Sequence, residues 1–200
     1  MRLRRRDAVP AGGELTRIPD QRRRRRTLIT DAGMLALWAP EPFAGVTDHE
    51  TWAAELSGDD DLTRHIAAGH LVPLNVGSDG AYGVAVRAGS VPEPATLTER
   101  EFRYLYLTSE PYLFVSPGRA IVSGIEHVSA DATAGLEVPV PAGRWSVTVS
   151  VLDWELEPDA VDARGRPVAS ALPDFAVLLN PERGSAATYR TSLYTYEADA

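Results

Sequence analysis

The chain has 200 residues and a net charge of −8, with no Cys and no Lys; all twenty of its basic residues are Arg. This length suits one domain, or a domain with an arm. The missing Cys excludes disulfides, thiolate metal sites and Cys nucleophiles. Without Lys, the Gly-containing stretch Gly77-Ser-Asp-Gly80 is no Walker A phosphate loop.

The charge is unevenly placed. Residues 1–26 carry ten Arg against three acids, net +7, whereas residues 27–200 carry ten Arg against twenty-five acids, net −15. An acidic body repels nucleic acid and attracts basic proteins. The use of Arg in place of Lys, with much Ala, Gly, Val, Asp and Pro, is the composition of a GC-rich bacterial genome. It lowers the weight of any single Arg.

Residues 1–26 read as a disordered Arg-rich arm, because like charges repel along Arg22–Arg26 and too few apolar residues are present for a core. Two readings of the arm stand. It is an electrostatic tether for nucleic acid, anionic lipid or the acidic body itself, or it is a solvated tail from an over-long gene start. Residues 27–200 read as a single β-rich domain. No apolar segment follows the basic start, and no apolar run is long enough to cross a bilayer, so a cytoplasmic protein without membrane contact is expected.

Order is expected from Thr27. Thr27–Thr30 and Met34–Trp38 read as short strands around an Asp31-Ala-Gly33 turn. Thr47-Asp-His-Glu50 has capping-box spacing and starts a helix through Trp52 and Leu56. Asp59-Asp-Asp61 starts a second helix, which Gly69 closes. Strand periodicity follows. His70–Val76 and Ala81–Arg87 flank a Gly77–Gly80 hairpin loop, and Glu101–Thr108 is the next strand. Tyr112–Val115 and Ala120–Ile125 flank a Ser116-Pro-Gly-Arg119 turn, and Leu136–Val140 and Arg144–Leu156 flank Pro141-Ala-Gly143. Phe175–Leu179 and Leu193–Tyr196 complete the set. The fold class is therefore mainly β (α+β): an antiparallel sandwich or half-open barrel with one or two short helices near residues 47–69.

The strand Arg144–Leu156 changes parity. Trp145, Val147, Val149 and Val151 share one face, yet Leu152, Trp154 and Leu156 fall on the other. A bulge or sharp twist between Val151 and Asp153 is expected, leaving Asp153, Glu155 and Glu157 in a row. Such a row costs free energy unless solvated or matched by a basic partner. Tyr104 and Tyr106 share a face opposite Leu105 and Leu107, either as a binding platform or as a second packed face. Asp153, Glu155, Glu157, Tyr104 and Tyr106 are thus the candidate partner-binding residues.

No spacing supports a catalytic, cofactor-binding or metal site, and no cofactor is expected. His65 and His70 are five apart across a helix end, and His49-Glu50 lacks the second His of a zinc-protease motif. Ser123-Gly124 lacks the nucleophile-elbow context. Glu110, Glu126, Asp153 and Glu155 serve a glycosidase only if two of them face each other across a cleft.

The stretches Thr30-Asp-Ala-Gly-Met34, Leu74-Asn-Val-Gly-Ser-Asp-Gly80, Ser123-Gly-Ile-Glu-His127 and Pro141-Ala-Gly-Arg144 resemble uncharacterised bacterial β-rich domains and, loosely, predicted immunity proteins of polymorphic toxin systems. These are turn signatures, so no functional residue carries over. The resemblance implies a small cytoplasmic protein that binds and neutralises a basic toxin or other protein partner. The alternative is a small-ligand or carbohydrate-active β domain using carboxylates near Glu126 and Asp153.

Overall fold

Apolar residues fill both faces of several strands, which requires cover on both sides. Met34–Trp38 and Ala120–Gly124 are buried at every position. The computed structural model describes residues 23–184 and 188–196. It provides that cover by stacking two sheets and wrapping the connections over them.

The first sheet has the order β1 (Arg23–Thr30), β4 (Gly80–Ala88), β10 (Phe175–Pro181), β9 (Gly143–Leu152) and β5 (Leu105–Thr108), with β6 (Tyr112–Ser116) also on β9. The second has the order β3 (Leu71–Asn75), β2 (Met34–Trp38), β7 (Ala120–Gly124) and β8 (Leu136–Val138). One main core lies between them, built around residues such as Leu35, Leu37, Tyr112, Phe114, Val147, Val149, Val177 and Leu179. The molecule is a β-rich α+β sandwich, as the sequence predicts. It is not purely antiparallel, because β10 runs parallel to β4.

Order begins earlier than expected. Arg23–Arg26 belong to β1 and pair with β4, Arg23 opposite Arg87 and Arg26 opposite Val84. The strand backbone has its partner there, and guanidinium groups on an edge strand discourage pairing with a further chain. The rest of the expected arm, residues 1–22, lies outside the described residues.

The turns were placed correctly, but their strands pair elsewhere. β1 and β2 lie in different sheets, as do β3 and β4, β6 and β7, and β8 and β9. Each Gly- or Pro-containing turn therefore carries the chain from one sheet to the other. Turn chemistry fixes a reversal, whereas the partner strand is chosen by which apolar faces meet.

Helix α1 (His49–Leu56) is capped by Asp48, whose side chain accepts from the Thr51 backbone N–H while the Thr51 hydroxyl receives the Asp48 N–H. The box is thus one residue later than its expected Thr47–Glu50 frame. Helix α2 (Asp59–Ala68) starts and stops as expected. Gly69 has φ +76°; its N–H donates to the Ile66 carbonyl and that of His70 to the His65 carbonyl. This Schellman closure needs a residue that tolerates the left-handed region. The helix packs on β3 and β6, where the edges of the two sheets meet.

A third helix, α3 (Glu99–Arg103), replaces the first half of the expected 101–108 strand. Thr98 and Glu101 form its reciprocal capping box, a signal the sequence carried. The Glu101 carboxylate also meets the Arg87 guanidinium on the outer face of β4, with both side chains buried. A second small core follows on that face: Leu152, Leu172 and Ala176, with Leu97, Tyr104, Leu105 and Trp154 packed against them.

That second core explains the parity change. Val147, Val149 and Val151 face the main core, while Leu152 faces the outer one. β9 pairs with β10 in unbroken register from Trp145 to Val151. The expected bulge between Val151 and Asp153 is absent from that pairing. The irregularity lies on β5, between Leu105 and Leu107. Segment 193–196 forms a single bridge, Asn75 to Thr195, in place of a full strand.

Candidate partner-binding surface

β9 ends at Leu152, and Asp153 leads into a 3₁₀ turn, Trp154–Leu156. Asp153, Glu155 and Glu157 therefore do not form a strand row. Glu155 is exposed and Asp153 half-buried. Glu157 is engaged: its two oxygens accept from Arg100 Nε and Nη2, each at 2.6 Å. This pair keeps the Glu157 carboxyl below the usual carboxylate range and ties the turn to α3.

Tyr104 and Tyr106 do not share a face. Tyr104 closes α3 and packs half-buried in the second core. Tyr106 sits in the β5 irregularity, 46% exposed. The five residues nevertheless fall along one margin of the first sheet. The Asp153 N–H donates to the Tyr104 carbonyl at 2.8 Å, Leu105 pairs with Leu152, and Arg100 holds Glu157. Leu156 in the 154–156 turn and Phe102 on α3 are each 70% exposed, and Phe102 lines a cleft with Thr148, Leu178 and Asn180.

Next to this margin the first sheet ends in a cleft of about 400 Å³, whose lining includes Ser78, Tyr82, Leu152, Asp174, Phe175 and Tyr196. The Tyr82 and Phe175 rings meet edge to face at 6.0 Å, and the Phe175 and Tyr196 rings at 5.9 Å. Asp174 stands beside them. Its Oδ1 accepts from the Trp154 indole at 2.8 Å and its Oδ2 from the Gly83 N–H at 2.6 Å. Gly83 permits this approach, since a Cβ there would stand 3.2 Å from Oδ2. Sequence reasoning missed the cleft because its parts come from residues 76–82, 151–152, 174–175 and 196, which no local pattern links.

Tyr196 is buried, and its hydroxyl lies by Ser109 and Tyr112 without a hydrogen bond of good geometry to either or to any other described residue. Burial, with Tyr112 beside it, pushes the phenol far above its ordinary range. Leaving such a group unsatisfied costs about 1–3 kcal/mol. Tyr196→Phe is therefore expected to raise the unfolding free energy by about 1 kcal/mol, read from urea denaturation. A loss of stability would show that the hydroxyl has a partner.

A second cleft of about 390 Å³ lies by α1, lined by Val46, His49, Trp52, Glu126, Val128 and other residues. Glu126 accepts from the Thr30 hydroxyl at 3.2 Å and the Asp31 N–H at 3.0 Å, so it braces the β1–β2 turn. Glu110 meets Arg190 at 3.1 Å. Glu126 thus braces the β1–β2 turn and lines a cleft that neither Asp153 nor Glu155 lines.

His65 and His70, which are not an i, i+4 pair on one helix face, nevertheless lie together. Their Nδ1 atoms are 3.3 Å apart, and His65 Nε2 is 3.0 Å from Glu55 Oε2. The Gly69 reversal folds His70 back alongside the last turn of α2. Burial pushes both imidazoles below their ordinary pKa. No group of three or more His, Cys, Asp or Glu suited to a metal occurs among the described residues.

No described helix is long and apolar enough to cross a membrane. No family model matches the chain, and no curated protein matches its sequence. Among solved structures, ComJ from Bacillus subtilis, an inhibitor of the DNA degrading activity of NucA, is similar with TM-score 0.46 and 10% identity, over 80% of this chain and 96% of that one. The product of crocagin biosynthetic gene J is similar with TM-score 0.55 and 20% identity, over 80% of this chain and 97% of that one. Identities this low speak to fold alone, and it is the two-sheet architecture that this chain shares with the crocagin protein.

Proposed function

We propose that the protein is a binding domain for a basic protein partner and that the margin formed by α3, β5 and the 153–157 turn is its contact surface. One observation carries this reading: α3, β5 and the 153–157 turn, tied by Arg100 to Glu157 and by the Asp153 N–H to Tyr104, carry the exposed Phe102, Tyr106 and Leu156 and the acids Asp153 and Glu155. Single exposed apolar residues are ordinary, whereas a group of them rimmed by polar groups marks an interface. Aromatic residues with a polar rim are the usual make-up of such surfaces. The net −11 of residues 23–200, which include the four Arg of β1, would steer a basic partner toward it. An immunity-like inhibitor that covers a basic toxin is the form of this function implied by the sequence resemblance.

The double reversal Asp153→Arg and Glu155→Arg tests the surface. Neither carboxylate is paired with a cation among the described residues, so the melting temperature is expected to stay within a degree or two. A partner captured by the wild-type chain should associate with the variant about tenfold more slowly at low salt. The difference should shrink as ionic strength rises. Recovery of the same partner at an unchanged on-rate would remove this margin from the interface.

A further inference from the structure

We propose that the aromatic cleft at the end of the first sheet is a receptacle for a guanidinium or ammonium group, and that an arginine or lysine side chain of the basic partner fills it. The identity of the occupant rests on the binding function proposed above; the cation site rests on the cleft alone.

Three rings and one carboxylate define its chemistry. Tyr82, half-buried, presents its ring to the cleft, backed edge to face at 6.0 Å by Phe175, which in turn meets Tyr196 at 5.9 Å; Phe175 and Tyr196 are themselves 3% and 6% exposed. The negative π faces of aromatic rings attract cations, and groups of rings are the usual way proteins hold ammonium and guanidinium. Asp174 adds a full negative charge. Two backbone or indole N–H groups fix it in place. An ionised carboxylate offers about four lone-pair sites, so capacity remains for a charged donor.

No cation of the described chain uses that capacity. Asp174 is in no ion pair among the described residues. Arg25, which lines the neighbouring cleft on the other side of Asp174, donates to the Ala171 carbonyl. The mouth also carries the Ser78 and Tyr82 hydroxyls, joined at 2.8 Å, which supply further acceptors for a forked donor. A volume of about 400 Å³ holds one long side chain. It excludes a folded element, and Asp174 disfavours an anion.

The location supports the choice of occupant. Leu152 lines the cleft and Asp153 follows it, while Trp154 holds Asp174. The cleft and the proposed contact margin therefore adjoin through three consecutive residues. A partner lying along the margin would bring a side chain to the cleft without reorganising either. Buried aromatic and arginine anchors in pockets are where interfaces concentrate their energy.

The test uses ¹⁵N-labelled full-length protein. The Trp154 indole N–H, assigned by its loss in Trp154→Phe, and the Gly83 amide report on Asp174. N-acetyl-arginine methylamide, its lysine counterpart and the neutral isostere N-acetyl-citrulline methylamide serve as probes. The expected result is saturable shifts of both signals with the two cationic probes, and binding at least tenfold weaker with citrulline. Asp174→Asn should weaken the arginine probe, as should Tyr82→Leu, which keeps apolar volume but removes a π face. Equal binding of citrulline and arginine in the wild-type chain, or no saturable shift, overturns the cation site without relying on any variant. Binding of the probes with no change in partner association for Tyr82→Leu overturns the protein side chain as occupant and leaves a free organic cation. Loss of partner association in Asp153→Arg/Glu155→Arg with silent probes keeps the contact margin and removes the cleft.

Discussion

Glu101→Ala is expected to lower the unfolding free energy by about 3–5 kcal/mol, since removing one member of a buried ion pair strands the other. Glu101 is 2% exposed and Arg87 8%. The carboxylate accepts from the Thr98 N–H at 2.8 Å and the Thr98 hydroxyl at 2.9 Å as well as meeting Arg87. Its loss would remove the α3 capping box and leave a guanidinium buried whose Nε already lacks a partner among the described residues. Arg87 would keep only its bond to the Thr96 carbonyl. Urea denaturation at neutral pH measures the effect, and a loss below about 1 kcal/mol would show that Arg87 reaches water.

The same residue predicts an acid dependence. Burial opposes ionisation of Glu101, but the Thr98 hydrogen bonds and the Arg87 charge outweigh it and hold the folded carboxyl below its ordinary 4.5. The unfolded chain then binds the proton more readily than the folded one, so stability rises with pH across that interval. The contribution is complete above about pH 4.5 and is lost as pH falls through the folded value. The gap between wild type and Glu101→Ala should accordingly narrow below that pH. A gap independent of acid would mean that the ion pair adds little.

Glu101 also shows what was legible in the sequence. The Thr98-x-x-Glu101 spacing announces a helix start, but the alternation of Leu105 and Leu107 pulled the expected strand back over it. The two signals abut without a spacer, and periodicity alone does not locate the boundary. The parity change at Leu152 requires a bulge only where one strand face meets water. Here the outer face carries its own small core, so Leu152 and Val151 are both apolar without a bulge. Similarly, Gly77, Gly118 and Gly143 mark reversals, and each has positive φ. The chain leaves each reversal in the other sheet, because every face of β2 and β7 has to be covered.

The margin proposed as the contact surface is half legible. Glu155 and Tyr106 are exposed, whereas Tyr104, Asp153 and Glu157 are half-buried, and the expected geometry, a straight row and a shared face, depends on a strand that ends at Leu152. The cleft was not legible at all. Phe175 reads as the start of a short apolar strand and Asp174 carries no signal, and their meeting with Tyr82 depends on the parallel pairing of β10 with β4. Parallel neighbours are distant in sequence and leave no turn signature between them. The His65–His70 contact is an intermediate case. Gly69 was identified as the helix stop, and the left-handed turn it makes is what returns His70 to His65.

The second large effect is expected at Phe43, which lies in a 3₁₀ turn, Glu41–Phe43, and is fully buried. Its ring meets Trp38 edge to face at 5.9 Å and His65 at 4.6 Å, so it joins the second sheet to α2. Phe43→Ala should cost about 3–5 kcal/mol through lost burial and the cavity left behind. Phe43→Leu, which keeps most of the volume, should cost under about 1.5 kcal/mol and remains measurable if the alanine variant unfolds. Both changes should reach the histidines. Burial lowers the His65 pKa, with Glu55 opposing and Arg64 assisting, and burial with His65 nearby lowers that of His70. Since the unfolded imidazoles take up protons first, the wild-type chain gains stability from this pair above about pH 6.5 and loses it as pH falls through the folded values. Opening the Phe43 site admits water to His65 and relaxes the burial penalty, so its titration should move up toward 6.5. Proton NMR of the imidazole Cε1–H signals follows both midpoints. An unchanged His65 midpoint in a folded Phe43→Leu chain would show that other groups, and not this ring, keep water from the pair.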